Sequence, residues 1–100
     1  MNYSELQQLI VKWGEEKGIL AKGTPMGQAI KTLEEVNELL AAINNGDQVE
    51  IKDALGDILV TIILQAELQQ MDLVDCLESA YNIISKRNGK MVDGVFVKND

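Results

Sequence analysis

Apolar residues recur at the helical spacing along most of this chain, and that period leaves one fold class open. Leu6, Leu9, Ile10 and Trp13 follow the i, i+3, i+4, i+7 rule. Ser4 is placed to cap this first helix, with Gln7 reaching back in a capping box, and Gly14 and Gly18 weaken its end. Residues 18–23 read as a loop. Thr24-Pro25 supplies an N-cap and a first-turn proline for a second helix, stopped near Asn44 by Asn45-Gly46. Asp47 caps a third, with Glu50 at its capping-box position, running to about Gln70. Asp72 caps a fourth, whose apolar face is Leu73, Cys76, Leu77, Ala80, Tyr81 and Ile84, and whose end is Lys86-Arg87-Asn88-Gly89. Asp93-Gly94 between short apolar arms is a hairpin signal, read as an extended clip against a partner subunit. The expectation is an all-α fold of four main helices with a short extended C-terminal tail, forming a single domain over residues 1–100.

The third helix is apolar over a wide arc, through Leu55, Ile58, Leu59, Ile62 and Ile63. A chain of 100 residues has too few helices to cover that arc. A homodimer, or a homotetramer built as a dimer of dimers, would close the bundle. Met26 and Met71 are expected in the core, and Cys76 is expected to pack there.

What is missing narrows the chemistry. There is no histidine, which removes Ser-His-Asp and Cys-His triads and zinc or haem sites built on imidazole. Cys76 is the one cysteine, so no internal disulfide forms, in keeping with a reducing cytoplasm. The formal net charge of −7 argues against nucleic acid or an anionic membrane as partner. The longest apolar run, Ile58 to Leu64, is far short of a membrane span, and the polar start does not read as a signal peptide. An acidic chain still takes phosphate ligands when a divalent cation sits between them.

Two acidic faces carry the chemistry. With Lys31 as the origin, Glu34, Glu35 and Glu38 lie at about −60°, +40° and −20° around the second helix, one shared face. Leu33, Val36, Leu40 and Ile43 point elsewhere, toward a core. From Glu50, Asp53 lies at about −60°, Asp57 at about −20° and Thr61 at about +20° on the third helix. The turn Asn45–Asp47 makes the two helices antiparallel and brings both faces to similar height. Two like charges at about 4 Å repel by about 4 kcal/mol at an effective dielectric of 20. Such carboxylates stay apart in water, take up protons or bind a cation. Oxygen-only ligands suit Mg²⁺ or Mn²⁺. Gly56 inside the third helix has two explanations, a close helix crossing or room for a ligand beside Asp57.

Lys31-Thr32-Leu33-Glu34-Glu35-Val36-Asn37-Glu38-Leu39, followed by Asp53-Ala54-Leu55-Gly56-Asp57-Ile58-Leu59, resembles the MazG-like nucleoside triphosphate pyrophosphohydrolases. They belong to the all-α NTP pyrophosphatase superfamily, together with dimeric dUTPases and dCTP pyrophosphatases. The resemblance extends from about Trp13 to Val97, and the ending Lys86 to Lys98 is similar to small phage and Firmicute-type members. The family pattern is Glu-Glu-x-x-Glu and then Glu-x-x-Asp. Its first half falls on Glu34, Glu35 and Glu38, and its final Asp on Asp57. The remaining Glu falls at Ala54, and Asp53 is the substitute the resemblance suggests, with Glu50 more distant. The resemblance implies Mg²⁺ held by Glu35, Glu38, Asp53 and Asp57, with Glu34 as a further ligand or the base. It implies hydrolysis of (deoxy)nucleoside triphosphates at the α–β bond, for pool control or housecleaning. Asn82 and Lys86 resemble the family's phosphate contacts, and Lys31 lies on the acidic face. Trp13 is placed to stack on a base and Gln28 to read its edge. Two other readings stand beside this one: a non-catalytic metal- or nucleotide-binding module, suggested by Ala54, and a purely structural acidic bundle.

Overall fold

A computed structural model describes residues 1–99 as five helices and a two-stranded tail. The helices are α1 (Tyr3–Glu16), α2 (Ile19–Lys22), α3 (Pro25–Asn45), α4 (Gln48–Leu68) and α5 (Leu73–Ile84). The strands are β1 (Gly89–Val92) and β2 (Val95–Lys98), paired antiparallel with Val92 opposite Val95. All-α is therefore the fold class, and the expected loop at 18–23 contains the single turn α2.

The start signals of α3, α4 and α5 act as the sequence suggests. The Thr24 hydroxyl accepts from the Gly27 amide, Asp47 from Val49 and Glu50, and Asp72 from Val74. At α1 the cap is Asn2 rather than Ser4. Asn2 Oδ1 accepts from the Glu5 amide at 2.9 Å, and Glu5 reaches back to the Asn2 amide at 3.4 Å. Both pairs have the right spacing, but an ionised Glu in the first turn also meets the positive end of the helix dipole, which Gln7 cannot. At the other end of the chain, Asp93 and Gly94 have φ of 48° and 85°, the two left-handed residues of a tight hairpin turn.

The core lies where α3, α4 and α1 meet. Ala42 from α3 and Ala54, Thr61, Ile63, Leu64 and Ala66 from α4 are buried. Small residues on both rods bring the backbones of α3 and α4 close. Gln65 Nε2 donates to the Pro25 carbonyl at 2.9 Å and ties α4 to the start of α3. α1 joins through Gly14, where an added Cβ would stand 2.5 Å from Leu64 Cδ2.

Helix α5 and the hairpin extend away from this body. Every residue from Val74 to Asn99 is exposed. The radius of gyration is 15.8 Å, against about 13 Å for a compact chain of this length. Beyond Leu73, the apolar face of α5 is open: Leu77 is 69% and Tyr81 61% exposed, and Cys76 is exposed with them. Leu33 and Leu40 are each 60% exposed and Ile43 is open as well, so the expected core face of the second predicted helix is uncovered. Met26 and Met71 are exposed rather than core residues. The cause is shared: with α5 folded outward, three helices cannot enclose a fourth side. Among the described residues no helix is long and apolar enough to cross a membrane.

Gly14→Ala is expected to destabilise the chain by about 1–3 kcal/mol, because Leu64, 2% exposed, has nowhere to move. Denaturant unfolding measures it; an unchanged midpoint contradicts the close α1–α4 approach.

Candidate active site

Three carboxylates converge where α3 and α4 run side by side. Glu35 and Glu38 come from α3 and Asp57 from α4, each offering an oxygen within 4.8 Å of the others. One helical turn separates the two glutamates, so both project from one face, and Asp57 meets them across the antiparallel pair. Glu35 is only 7% exposed. Its Oε1 lies 3.4 Å from Lys31 Nζ, while its Oε2 is buried with no hydrogen-bond partner among the described residues. An unpartnered buried carboxylate oxygen is costly. Two more carboxylates beside it raise that cost unless a cation is shared among them.

The crowding shows in the proton affinities. Glu38 is held above the ordinary carboxylate range, first by a hydrogen bond its protonated form shares with Glu35 and then by the Glu35 charge. Asp57 is raised first by desolvation, then by the charges of Asp53 and Glu35. Lys31 is raised by its hydrogen bonds to Glu34 and Glu35. Hard oxygen donors in this arrangement fit a divalent cation such as Mg²⁺ or Mn²⁺.

Beside the cluster opens a cavity of about 490 Å³. Glu35, Asp57 and Lys31 form its charged end, Ile19, Val60 and Leu64 its apolar floor, and Trp13 and Gln28 its sides. A second cleft of about 480 Å³ lies on the other flank of Asp57, lined by Val49, Lys52, Asp53, Gly56 and Val60.

The model of the MazG nucleotide pyrophosphohydrolase domain matches residues 26–92. The chain belongs to this family. The matched span contains all three converging carboxylates and leaves out Trp13. An uncharacterized 18.2 kDa protein of the rep-hol intergenic region of Haemophilus phage HP1 (strain HP1c1) is 34% identical over 74 residues, 71% of this chain. The chain spans 45% of that relative's length. No solved structure matches.

Against the family pattern, this MazG domain brings Glu35, Glu38 and Asp57 together and leaves Glu34 and Asp53 at the edge. Glu34 faces outward, bonded to Lys31 at 3.3 Å. Asp53 is exposed and close enough to Asp57 to raise its proton affinity, but lies outside the group of three. Ala54, at the position of the family's glutamate, is 3% exposed and faces the helix packing. Trp13 and Lys31 line the cavity, whereas Asn82 and Lys86 stand on and just beyond α5 and line neither cleft of Asp57. A Cβ added at Gly56 would meet nothing within 4 Å, so no helix crosses there and the glycine opens the second cleft.

One element was not foreseen. Thr61, 4% exposed, donates to the Ile58 carbonyl at 2.6 Å and accepts from Thr32 at 2.8 Å. Its backbone oxygen accepts from Gln28 Nε2 at 3.3 Å. The signal was present in a threonine one turn beyond Asp57, on the same face.

The raised affinities of Glu38 and Asp57 give metal-free stability a definite pH dependence. Their contribution is full below the ordinary values of 4.5 and 3.8 and is lost as pH rises through the raised ones. Without metal, the melting temperature is expected to fall as the pH is raised from below these ordinary values, and Mg²⁺ at the higher pH to restore it. A flat profile indifferent to Mg²⁺ contradicts the crowding.

Proposed function

We propose that this domain hydrolyses (deoxy)nucleoside triphosphates at the α–β bond, giving a nucleoside monophosphate and pyrophosphate, and that it serves nucleotide pool control or housecleaning in the cytoplasm. The observation that supports it most is the orphaned Glu35 Oε2 inside a three-carboxylate cluster that opens onto a nucleoside-sized cavity. Glu35, Glu38 and Asp57 would hold Mg²⁺, or Mn²⁺ in its place, with Asp53 as a flanking group. When bound, the cation neutralises phosphate charge and acidifies a water.

The chain's own groups divide the remaining work. Lys31 balances two glutamates at the mouth of the cavity and is placed to draw the triphosphate toward the cluster. Glu34, at the edge of the cluster and paired with Lys31, is the carboxylate outside the metal set that would orient a water and take its proton as the oxygen attacks the α-phosphorus. The new oxygen–phosphorus bond replaces the bond to the β-phosphate, and pyrophosphate leaves with the electron pair. Asn82 and Lys86 would meet the phosphates through assembly of a homodimer or homotetramer. The uncovered faces of α5 and of α3 support such an assembly, since exposed apolar patches of this extent mark interfaces.

Pyrophosphate release from a panel of nucleotides with Mg²⁺ tests the reaction. Glu38→Gln is expected to lower turnover about a hundredfold and Asp53→Asn about tenfold. Equal turnover in the wild type and Glu38→Gln removes the proposed site. A wild type that binds Mg²⁺ but releases no pyrophosphate supports the second reading, a non-catalytic binding module, which the loss of a carboxylate at Ala54 favours. Light scattering is expected to show at least a dimer, and Leu77→Lys to dissociate it; a monomeric wild type at micromolar concentration contradicts the assembly.

A further inference from the structure

The clustered carboxylates come from two rods, so their spacing depends on how α3 and α4 are seated against each other. On the side of the cluster nearer the turn at Gly46, the seam is made by Ala42 and Ala54, whose methyl contacts have no preferred direction. On the other side the helices are tied. Thr32, one turn before Glu35, and Thr61, one turn after Asp57, bring their hydroxyl oxygens to 2.8 Å. Thr61 donates its proton to the Ile58 carbonyl at 2.6 Å, so the proton in the crossing bond is that of Thr32. Two further bonds cross on this side, from Gln28 Nε2 to the Thr61 carbonyl at 3.3 Å and from Gln65 Nε2 to the Pro25 carbonyl at 2.9 Å. Among the described residues no hydrogen bond crosses from α3 to α4 on the turn side. The Thr32–Thr61 bond is the one nearest the cluster along both helices, and Thr61, 4% exposed, shields it from water.

We infer that Thr32 and Thr61 are positioning residues for the acidic cluster: their hydroxyl bond fixes the roll and height of α4 against α3, and so holds Asp57 at the distance from Glu35 and Glu38 that a shared cation needs. Neither hydroxyl bonds a carboxylate, so the effect passes through the placement of the helices. A small divalent cation makes such placement matter. Mg²⁺ takes oxygen ligands at about 2.1 Å with little tolerance, and a slip of α4 by about one ångström would carry Asp57 out of reach. The inference rests on the reading of the cluster as a divalent-cation site, and it can be measured without turnover.

Thr61→Val removes the crossing bond and keeps the side-chain shape. The Thr32 hydroxyl then turns to the Gln28 carbonyl, 3.1 Å away, so the tie is lost without orphaning its donor. The test titrates Mn²⁺ into the nucleotide-free chain and follows the free ion by electron paramagnetic resonance. Thr61→Val is expected to bind Mn²⁺ about tenfold more weakly than the wild type, and Thr61→Ser, which keeps the hydroxyl, to bind it as the wild type does. Thr32→Val is expected to match Thr61→Val, and the double variant to be no weaker than either, because all three lack the same bond. Gly14→Ala, which strains α1 against α4 and leaves this seam alone, is expected to lower stability and retain the affinity. Equal affinity in the wild type and Thr61→Val reduces the pair to packing and overturns the inference. An equal loss in Gly14→Ala, or additive losses in the double variant, overturns it as well. A wild type that binds no Mn²⁺ removes the cluster as a cation site, and the inference with it. Nucleotide hydrolysis enters none of these measurements, so a chain that shows the expected series but releases no pyrophosphate loses the hydrolase reading alone.

Discussion

A carboxylate oxygen shut away from water must be compensated, and the site is arranged around that requirement at Glu35. Lys31 takes one oxygen of Glu35, and the other has nothing. Its neighbours Glu38 and Asp57 are both pushed toward the protonated form. Lys31 is itself more than half exposed and divided between two glutamates, so it offsets only part of the charge. A divalent cation satisfies all three carboxylates at once, which makes the cluster intelligible as a binding site and hard to explain as packing.

The fold holds these groups together with small residues rather than large ones. Ala42 and Ala54 are nearly inaccessible where α3 and α4 lie alongside each other, and the short turn through Gly46 and Asp47 keeps the rods antiparallel. Thr32, Thr61 and Gln28 then lock the two helices at the level of the cavity through hydrogen bonds in which neither partner carries a charge. That choice matters beside an acidic cluster, because a charged tie would perturb the same carboxylates. The uncovered half of the molecule obeys a different logic. The apolar residues of α5 and the hairpin are as hydrophobic as any core, but they are left exposed.

Angular arithmetic was enough to find the cluster. Glu35, Glu38 and Asp57 lie within a narrow arc of their helices, and a short turn gives antiparallel pairing without further information. The same arithmetic could not separate them from Glu34 and Asp53, which sit on the same arcs but at the edge, because contact depends on how each helix rolls against its partner. That roll is set by alanines, whose burial has no strong sequence signature. The expected core face of Leu33, Leu40 and Ile43 failed for a related reason. Period reports which residues want burial, not whether a neighbour in the same chain supplies it. At the N-terminus two capping boxes overlap in the sequence, Asn2–Glu5 and Ser4–Gln7, and the one that forms has the ionised side chain in the first turn, where it meets the helix dipole. Sequence alone left Gly56 open between a close helix crossing and an open cleft, because both need only the missing side chain, and the structure has the cleft.

The departure at Ala54 changes the electrostatics more than it changes the shape. Position 54 faces the packed side of α4, so a carboxylate there would join the cluster from within the helix seam, with little water around it. Asp53 sits one residue earlier, turned by about 100° toward solvent. It influences Asp57 through space without entering the group of three. Three carboxylates exceed the charge of one divalent cation by a single unit; a fourth, buried one would double that excess and leave the triphosphate facing a more negative floor. Moving the fourth acid to a solvated flank keeps its field near Asp57 but lets water screen it. For a cluster that holds a cation as proposed, alanine at position 54 would weaken metal retention and lower the repulsion met by an incoming phosphate, two effects of opposite sign that would act at different steps.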